Sequence, residues 1–258
     1  MQVKDALRKW PDIFLPDGEN ICNDRWTGST AVGNEGLCQH PRINRYGELF
    51  MNYETLLKTA TSRRSIRKFK EDAVSRDDIE KIVRVGMQAP SGFNSQPWDI
   101  VVVDDKSLKD KVTQCLLDGI GEGKTSKGFI NAPAFILLYG DTRLRDYGPP
   151  GRKDDDQWWE FTFNTSLSNF FMYMQLAATS LGLGSMWVSS FKNPEIDKPT
   201  KELLKIPSHF TVFEMMAIGH PDIEPGEKKL REVSDILHYN QDGNYRTKED
   251  IDKWFNHK

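Results

Sequence analysis

Two patterns of apolar residues alternate along this chain, one recurring every three or four positions and one forming short runs, and together they predict helices interleaved with strands. Tyr53, Leu56, Leu57 and Ala60 keep helical spacing behind Asn52, a residue suited to cap them. Ser75 followed by Asp78 resembles a capping box, and Ile79, Ile82, Val83 and Gly86 carry that helix towards Pro90. Trp98 to Val103 reads as a buried strand, after which Asp104-Asp105 can cap a helix bearing Leu108, Val112, Cys115 and Leu116. Ala132 to Tyr139 predicts a second strand, being too short and too marked by Pro133 for a helix.

The longest helical pattern sets Phe163, Leu167, Phe170, Phe171, Met174, Ala177, Ala178 and Leu181 on one wide face almost free of charge, which predicts a central helix or one at a subunit interface. Gly182 and Gly184 close it, and Ser185 to Ser190 continues as a short strand or extended loop. Asn193-Pro194 opens another helix by the cap-then-proline rule, with Leu203, Leu204 and Ile206 as anchors, and Pro199 is expected to end or restart it. Phe210 to Ile218 predicts a third strong strand, stopped by Gly219-His220-Pro221. Val233 to Tyr239 reads as a last short strand or turn of helix, and Lys248 to Phe255 as a helix in a polar tail.

Residues 1–51 never settle into a period, because Pro11, Pro16, Gly18, Gly28, Gly33, Gly36 and Pro41 punctuate them. They read as an irregular arm, and residues 52–258 as a single α/β or α+β domain built around three apolar strands. Gly140 to Gln157 is a long polar connection between strong elements, hence a functional lid or a disordered loop.

Composition narrows the classes. Of the 258 residues 38% are hydrophobic and 28% charged, which suits a soluble globular chain. No apolar run is long enough for a transmembrane helix, and the charges scattered through Met1 to Pro16 argue against a secretory signal. Cys22, Cys38 and Cys115 are too few and too scattered for a disulfide framework, so a reducing cytoplasm is the simplest setting. Cys22, Cys38 and His40 do not complete a zinc set, and no metal is expected. Gly121-Glu122-Gly123-Lys124-Thr125 invites a phosphate-loop reading, but the first glycine of that pattern would fall at Asp118, and Gly128 and Pro133 interrupt the helix that should follow.

Chemistry concentrates at Ser62-Arg63-Arg64-Ser65-Ile66-Arg67-Lys68-Phe69. Guanidinium forks match the oxygens of a phosphate monoester, and in an extended segment Arg63, Ser65 and Arg67 face one way. Lys229 and Arg231 share that alternation. A nucleic-acid-binding role for the Arg63 to Lys70 run is a separate possibility, against which stand the formal net charge of −3 and the lack of interleaved aromatics.

The arginine stretch, followed one helix later by Ala89-Pro90-Ser91-Gly92-Phe93-Asn94-Ser95-Gln96-Pro97-Trp98, resembles the opening signature of the FMN-dependent nitroreductase family. Gly182 to Trp187, then Ile218-Gly219-His220-Pro221 with Lys229 and Arg231, resemble its third and fourth landmarks, and the four in order span residues 52–238. The resemblance implies an α+β, three-layer fold with a mainly antiparallel central sheet flanked by helices, assembled as a homodimer with FMN at the interface. It assigns Arg63 and Ser65 to the phosphate and ribityl end, with Arg64 nearby, and Arg67 to the N1 and O2 edge of the flavin, where negative charge grows on reduction. Pro90, Ser91, Gly92 and Asn94 would approach the FMN of the partner subunit. Ser189 and Ser190 fall at the N5 and O4 edge, and Lys229 and Arg231 at the phosphate.

By the same resemblance the reaction is ping-pong. NADH or NADPH gives hydride to flavin N5 and leaves, and a small acceptor such as a nitroaromatic or quinone takes its place. No side chain need act as a nucleophile. The segment 141–160 would cover the site, with Tyr147, Arg152, Trp158 and Trp159 stacking on or pairing with the acceptor. A reductive dehalogenase or a flavin-cleaving enzyme of the same fold is the alternative that this segment keeps open.

Overall fold

The computed structural model describes residues 53–121, 127–240 and 246–256. The arm of residues 1–51 with Cys22, Cys38 and His40, the capping residue Asn52, and Glu122 to Thr125 of the glycine-rich loop lie outside the described residues.

Strands β1 (Trp98–Val103), β2 (Ala134–Asp141), β3 (Gly184–Val188) and β4 (Phe210–Gly219) form one sheet in the order β1-β2-β4-β3, antiparallel at every pairing. Successive side chains of a strand point to opposite faces. Ile136, Leu138, Met216 and Ile218 accordingly enter one core with α2 (Arg76–Gly86) and α4 (Asp156–Ser180), and Phe135, Leu137, Met215 and Ala217 enter another with α3 (Lys106–Ile120) and α5 (Pro194–Leu204). Helices cover both faces, which makes three layers. It also explains why β2 reads as an unbroken apolar run: neither face meets water.

The capping signals behave as their chemistry requires. Ser75 Oγ accepts from the Asp78 N–H at 3.0 Å and Asp105 Oδ1 from the Leu108 N–H at 2.8 Å. β3 takes the strand reading that Ser185 to Ser190 left open, so among the described residues the sheet has four strands, one more than the three apolar runs. The fold differs from expectation in two further places. Pro199 neither ends nor restarts its helix, because α5 runs from Pro194 to Leu204 with Pro199 inside. Ile196 and Thr200 are fully buried against the α3 side of the sheet, and that packing overrides the hydrogen bond a proline removes. Finally, α4 begins at Asp156, where Asp155 Oδ1 accepts from the Trp158 N–H at 2.9 Å, so the end of the polar segment is the first turn of the central helix.

Helix α1 (Tyr53–Ser62) lies against α4, yet Tyr53, Leu56 and Leu57 remain 69%, 48% and 44% exposed. Val233–Asp235 forms a single helical turn, and α6 (Lys248–Asn256) ends the described chain.

Candidate functional site

The first, third and fourth of the sequence landmarks meet along the free edge of β3. Ser65 pairs with Ser185, and the Ile66 N–H donates to the Ser185 carbonyl at 3.0 Å. Gly184 permits this approach, since a Cβ there would stand 2.7 Å from Ile66 Cγ1. Further on, Phe69 pairs with Pro221, the Lys70 N–H donates to the His220 carbonyl at 2.9 Å, and the Asp222 N–H donates to the Lys68 carbonyl at 3.0 Å. Ile66 and Phe69 are buried in the α3 and α5 core, which turns Ser65, Arg67 and Lys68 outward and leaves Arg63 and Arg64 half-buried.

This edge collects positive charge. Arg64 Nε donates to the Gly226 carbonyl at 3.3 Å and its Nη1 to the Thr61 and Arg63 carbonyls. Arg67 Nη1 donates to the Ser65 carbonyl at 3.2 Å, Arg231 Nη2 donates to the Asp235 carbonyl, and Lys229 Nζ lies 4.4 Å from the centre of the Trp254 ring. Among the described residues, none of Arg63, Arg64, Arg67, Lys229 and Arg231 forms an ion pair with a carboxylate. Arg64 also lines a groove of about 430 Å³ with Leu57, Thr61, Glu227, Lys228 and Leu230. A set of cations spent only on carbonyls and a ring fits a phosphate-bearing cofactor such as FMN.

The second landmark lies elsewhere. Asn169 Nδ2 donates to the Pro90 carbonyl at 3.2 Å, and the Gly92 N–H donates to Ser166 Oγ at 3.0 Å. A Cβ at Gly92 would lie 2.1 Å from Thr162 Cγ2, so only glycine fits there. Ser91 Oγ accepts from the Gln96 N–H at 3.1 Å, and Asn94 Oδ1 from Gln96 Nε2 at 3.3 Å. Pro90 to Asn94 thus sit against the middle of α4, at Ser166 and Asn169, whereas Ser185 meets the same helix at Gln175. Gln175 lies six residues along the helix from Asn169 and nine from Ser166, roughly 9 to 14 Å at 1.5 Å per residue. Among the described residues no hydrogen bond joins Pro90, Ser91, Gly92 or Asn94 to the arginine stretch.

Instead they join the expected cover, through a residue the sequence reading passed over. Phe93, at φ 42°, stacks on Trp158 with ring centres 6.2 Å apart and 18° between planes, and the Arg152 guanidinium lies 5.7 Å from the Trp158 ring. Phe93, Asn94 and Gln96 all hold positive φ, a strain of order 1–3 kcal/mol each that concentrates at functional sites. An aromatic in a turn of small and polar residues was the available signal. Trp159 is 8% exposed, 5.6 Å from Phe163 and 6.4 Å from Phe93, so it offers an acceptor a less open ring than Trp158 does. Tyr147, Arg152 and Trp158 keep access to solvent.

Ser189 and Ser190 follow β3. Ser190 Oγ donates to the Ser189 carbonyl, and the Ser190 N–H faces the Glu214 carboxyl. Burial pushes that carboxyl up to about 7, against the pull of the Ser190 N–H, Lys192 and the Trp187 ring, and its Oε2 is buried with no hydrogen-bond partner. Ser190 therefore turns its donors towards the protein. Glu214 was also missed, although a lone acid within the apolar strand Phe210 to Ile218 is a visible anomaly.

The chain matches the model of the nitroreductase family over residues 60–220, well over half its length. It belongs to the nitroreductase family. A relative from Archaeoglobus fulgidus, provisionally named NADH dehydrogenase/NAD(P)H nitroreductase, is 33% identical over 76% of this chain and 99% of its own. Iodotyrosine deiodinase of Thermotoga neapolitana is 24% identical over 72% of this chain and 97% of its own. Among solved structures, an FMN-dependent nitroreductase of Clostridium difficile is 29% identical, covers 72% of this chain and 99% of that one, and gives a TM-score of 0.55. For this nitroreductase-family chain the three-layer α+β fold with an antiparallel sheet is thus established twice, by topology and by likeness.

Proposed function

We infer that this chain is an FMN-dependent oxidoreductase that draws hydride from NADH or NADPH and reduces a small flat acceptor such as a nitroaromatic or a quinone. The observation that carries the reading is the set of cations on the arginine stretch and on the segment that Arg64 reaches at Gly226, which find no carboxylate among the described residues, with Arg64 lining an open groove. Arg63, Arg64, Ser65, Lys229 and Arg231 would hold the phosphate end, and Arg67 would face the flavin edge that gains negative charge. When bound, FMN supplies the two-electron chemistry, accepting hydride from the nicotinamide and passing it to the acceptor. The chain's own part is to orient both, exclude water and stabilise charge. Ser189 is the better placed of the two serines to offer a backbone N–H outward, since Ser190 is engaged with Glu214.

The separation along α4 supports a homodimer, in which the wall formed by Pro90, Ser91, Gly92 and Asn94 would complete the site of the partner. Phe93, Trp158 and Arg152 would then form the acceptor platform, with Tyr147 at its rim. Removal of a halogen from an aromatic is a second reading of the same site, favoured by the likeness to the Thermotoga deiodinase over nearly that protein's whole length.

Purified protein should absorb as a flavoprotein and bleach anaerobically on addition of NADH or NADPH. Arg67→Ala should weaken FMN retention and slow the bleaching by roughly tenfold or more, the value of one charge-assisted contact. Protein that stays colourless and inactive after FMN is supplied would sink the reading, and unchanged reduction kinetics in the variant would remove Arg67 from the site.

A further inference from the structure

The family match ends at residue 220, but the cationic side of the site continues beyond it. Lys229 Nζ and the Arg246 guanidinium lie 4.4 and 5.4 Å from the centre of one ring, that of Trp254 in α6. Each cation gains about 0.5–1 kcal/mol from an exposed aromatic face, while the two repel each other. Among the described residues neither has a carboxylate at ion-pair distance. The acids nearby are otherwise engaged or only flank the segment. Asp250, which acts on Arg246, accepts from the Thr247 N–H at 2.9 Å and hydroxyl at 2.7 Å, Asp235 accepts from the Glu232 N–H, and Glu227 lines the groove. Arg64 reaches the Gly226 carbonyl from the other side and Arg231 the Asp235 carbonyl. Arg64 and the Trp254 ring therefore both reach the segment 226–231, which itself carries Lys229 and Arg231, and one ring contacts Lys229 and Arg246 without neutralising either.

We propose that Arg246 and Trp254 complete a clamp for a phosphate monoester, with Arg246 contacting the phosphate and Trp254 positioning Lys229 and Arg246 to face it. The proposal rests on the FMN reading above and extends the site to the C-terminal residues beyond the family match. It accounts for a helix of charged residues that presents its tryptophan to a lysine rather than to the core.

The test compares equilibrium binding of FMN with that of riboflavin, which lacks the phosphate, in full-length wild type, Arg246→Ala, Trp254→Ala and Trp254→Phe. Arg246→Ala and Trp254→Ala should raise the FMN Kd roughly tenfold at low salt and leave the riboflavin Kd unchanged, the cost of one charge-assisted contact. Trp254→Phe keeps an aromatic face and should bind FMN nearly as well as wild type. Variants that bind FMN as tightly as wild type, or that lose FMN and riboflavin equally, overturn the clamp while the FMN reading stands. Wild type that binds FMN no better than riboflavin overturns both.

Discussion

A single acid shows how one residue links packing to chemistry in this chain. Glu214 follows a bulge between Leu138 and Tyr139 on the neighbouring strand, and its carboxyl is carried beneath the Ser189-Ser190 turn instead of into water. Its ordinary value is 4.5 and burial pushes it to about 7, so the folded protein binds this proton more tightly than the unfolded chain does. The sign follows from linkage: the contribution is complete below pH 4.5 and is lost as pH rises through about 7. Glu214→Gln, which cannot ionise, should remove that step. Discounted for the part of the side chain that solvent reaches, the step should appear as a change of roughly 2–4 °C in the Tm difference between wild type and variant across this window. The lowered carboxyls of Asp78 and Asp141 titrate at more acid pH and cancel in the difference. A Tm difference that stays constant from pH 4 to 8 would mean that Glu214 binds its proton equally well in the folded and unfolded chains.

At the scale of elements, α4 decides both the fold and the separation of the two walls. Its start at Asp156 makes Trp158 a fixed face for Phe93, and the cap at Asp155 holds that first turn. Asp155→Ala should cost about 1 kcal/mol of stability. It should raise the KM for the acceptor more than the Kd for FMN, and an equal loss of both would argue against a separate acceptor platform. The sequence made the capped helices and the β2 run plain, because caps and unbroken apolar runs are local signals. It misjudged Pro199, whose helix survives through burial of Ile196 and Thr200, a tertiary effect that no local pattern contains. The same division holds for the site. Four motifs in family order exposed the cationic stretch, while Phe93 and Glu214 stayed hidden because each acquires its meaning only from a partner distant in sequence, Trp158 for one and Ser190 for the other.

At the scale of the whole molecule, the described residues leave apolar surface open on α1 and α4 and keep the two walls of the proposed site apart on α4. Tyr53 and Leu56 of α1, with Phe161, Met172 and Tyr173 on the outer face of α4, are exposed although α1 and α4 pack together. Apolar area is worth about 25 cal/mol per Å² when buried, and obligate homodimers bury 2,000 Å² or more. A second copy set on this face would cover it. It would also bring the Pro90 to Asn94 wall of one protomer towards the arginine edge of the other, so assembly and cofactor binding should fail together. Leu56→Glu combined with Met172→Glu places charge on both helices at positions already open to solvent, and the fold of each chain should survive it. The double variant should sediment as a monomer with an unchanged far-ultraviolet circular dichroism spectrum, and its FMN affinity should drop by at least roughly tenfold, more than 1.4 kcal/mol. A wild-type monomer that holds FMN, or a monomeric variant that holds it as tightly as the dimer, would show that each chain completes its own site, and would require Pro90 to Asn94 to act from the platform side alone.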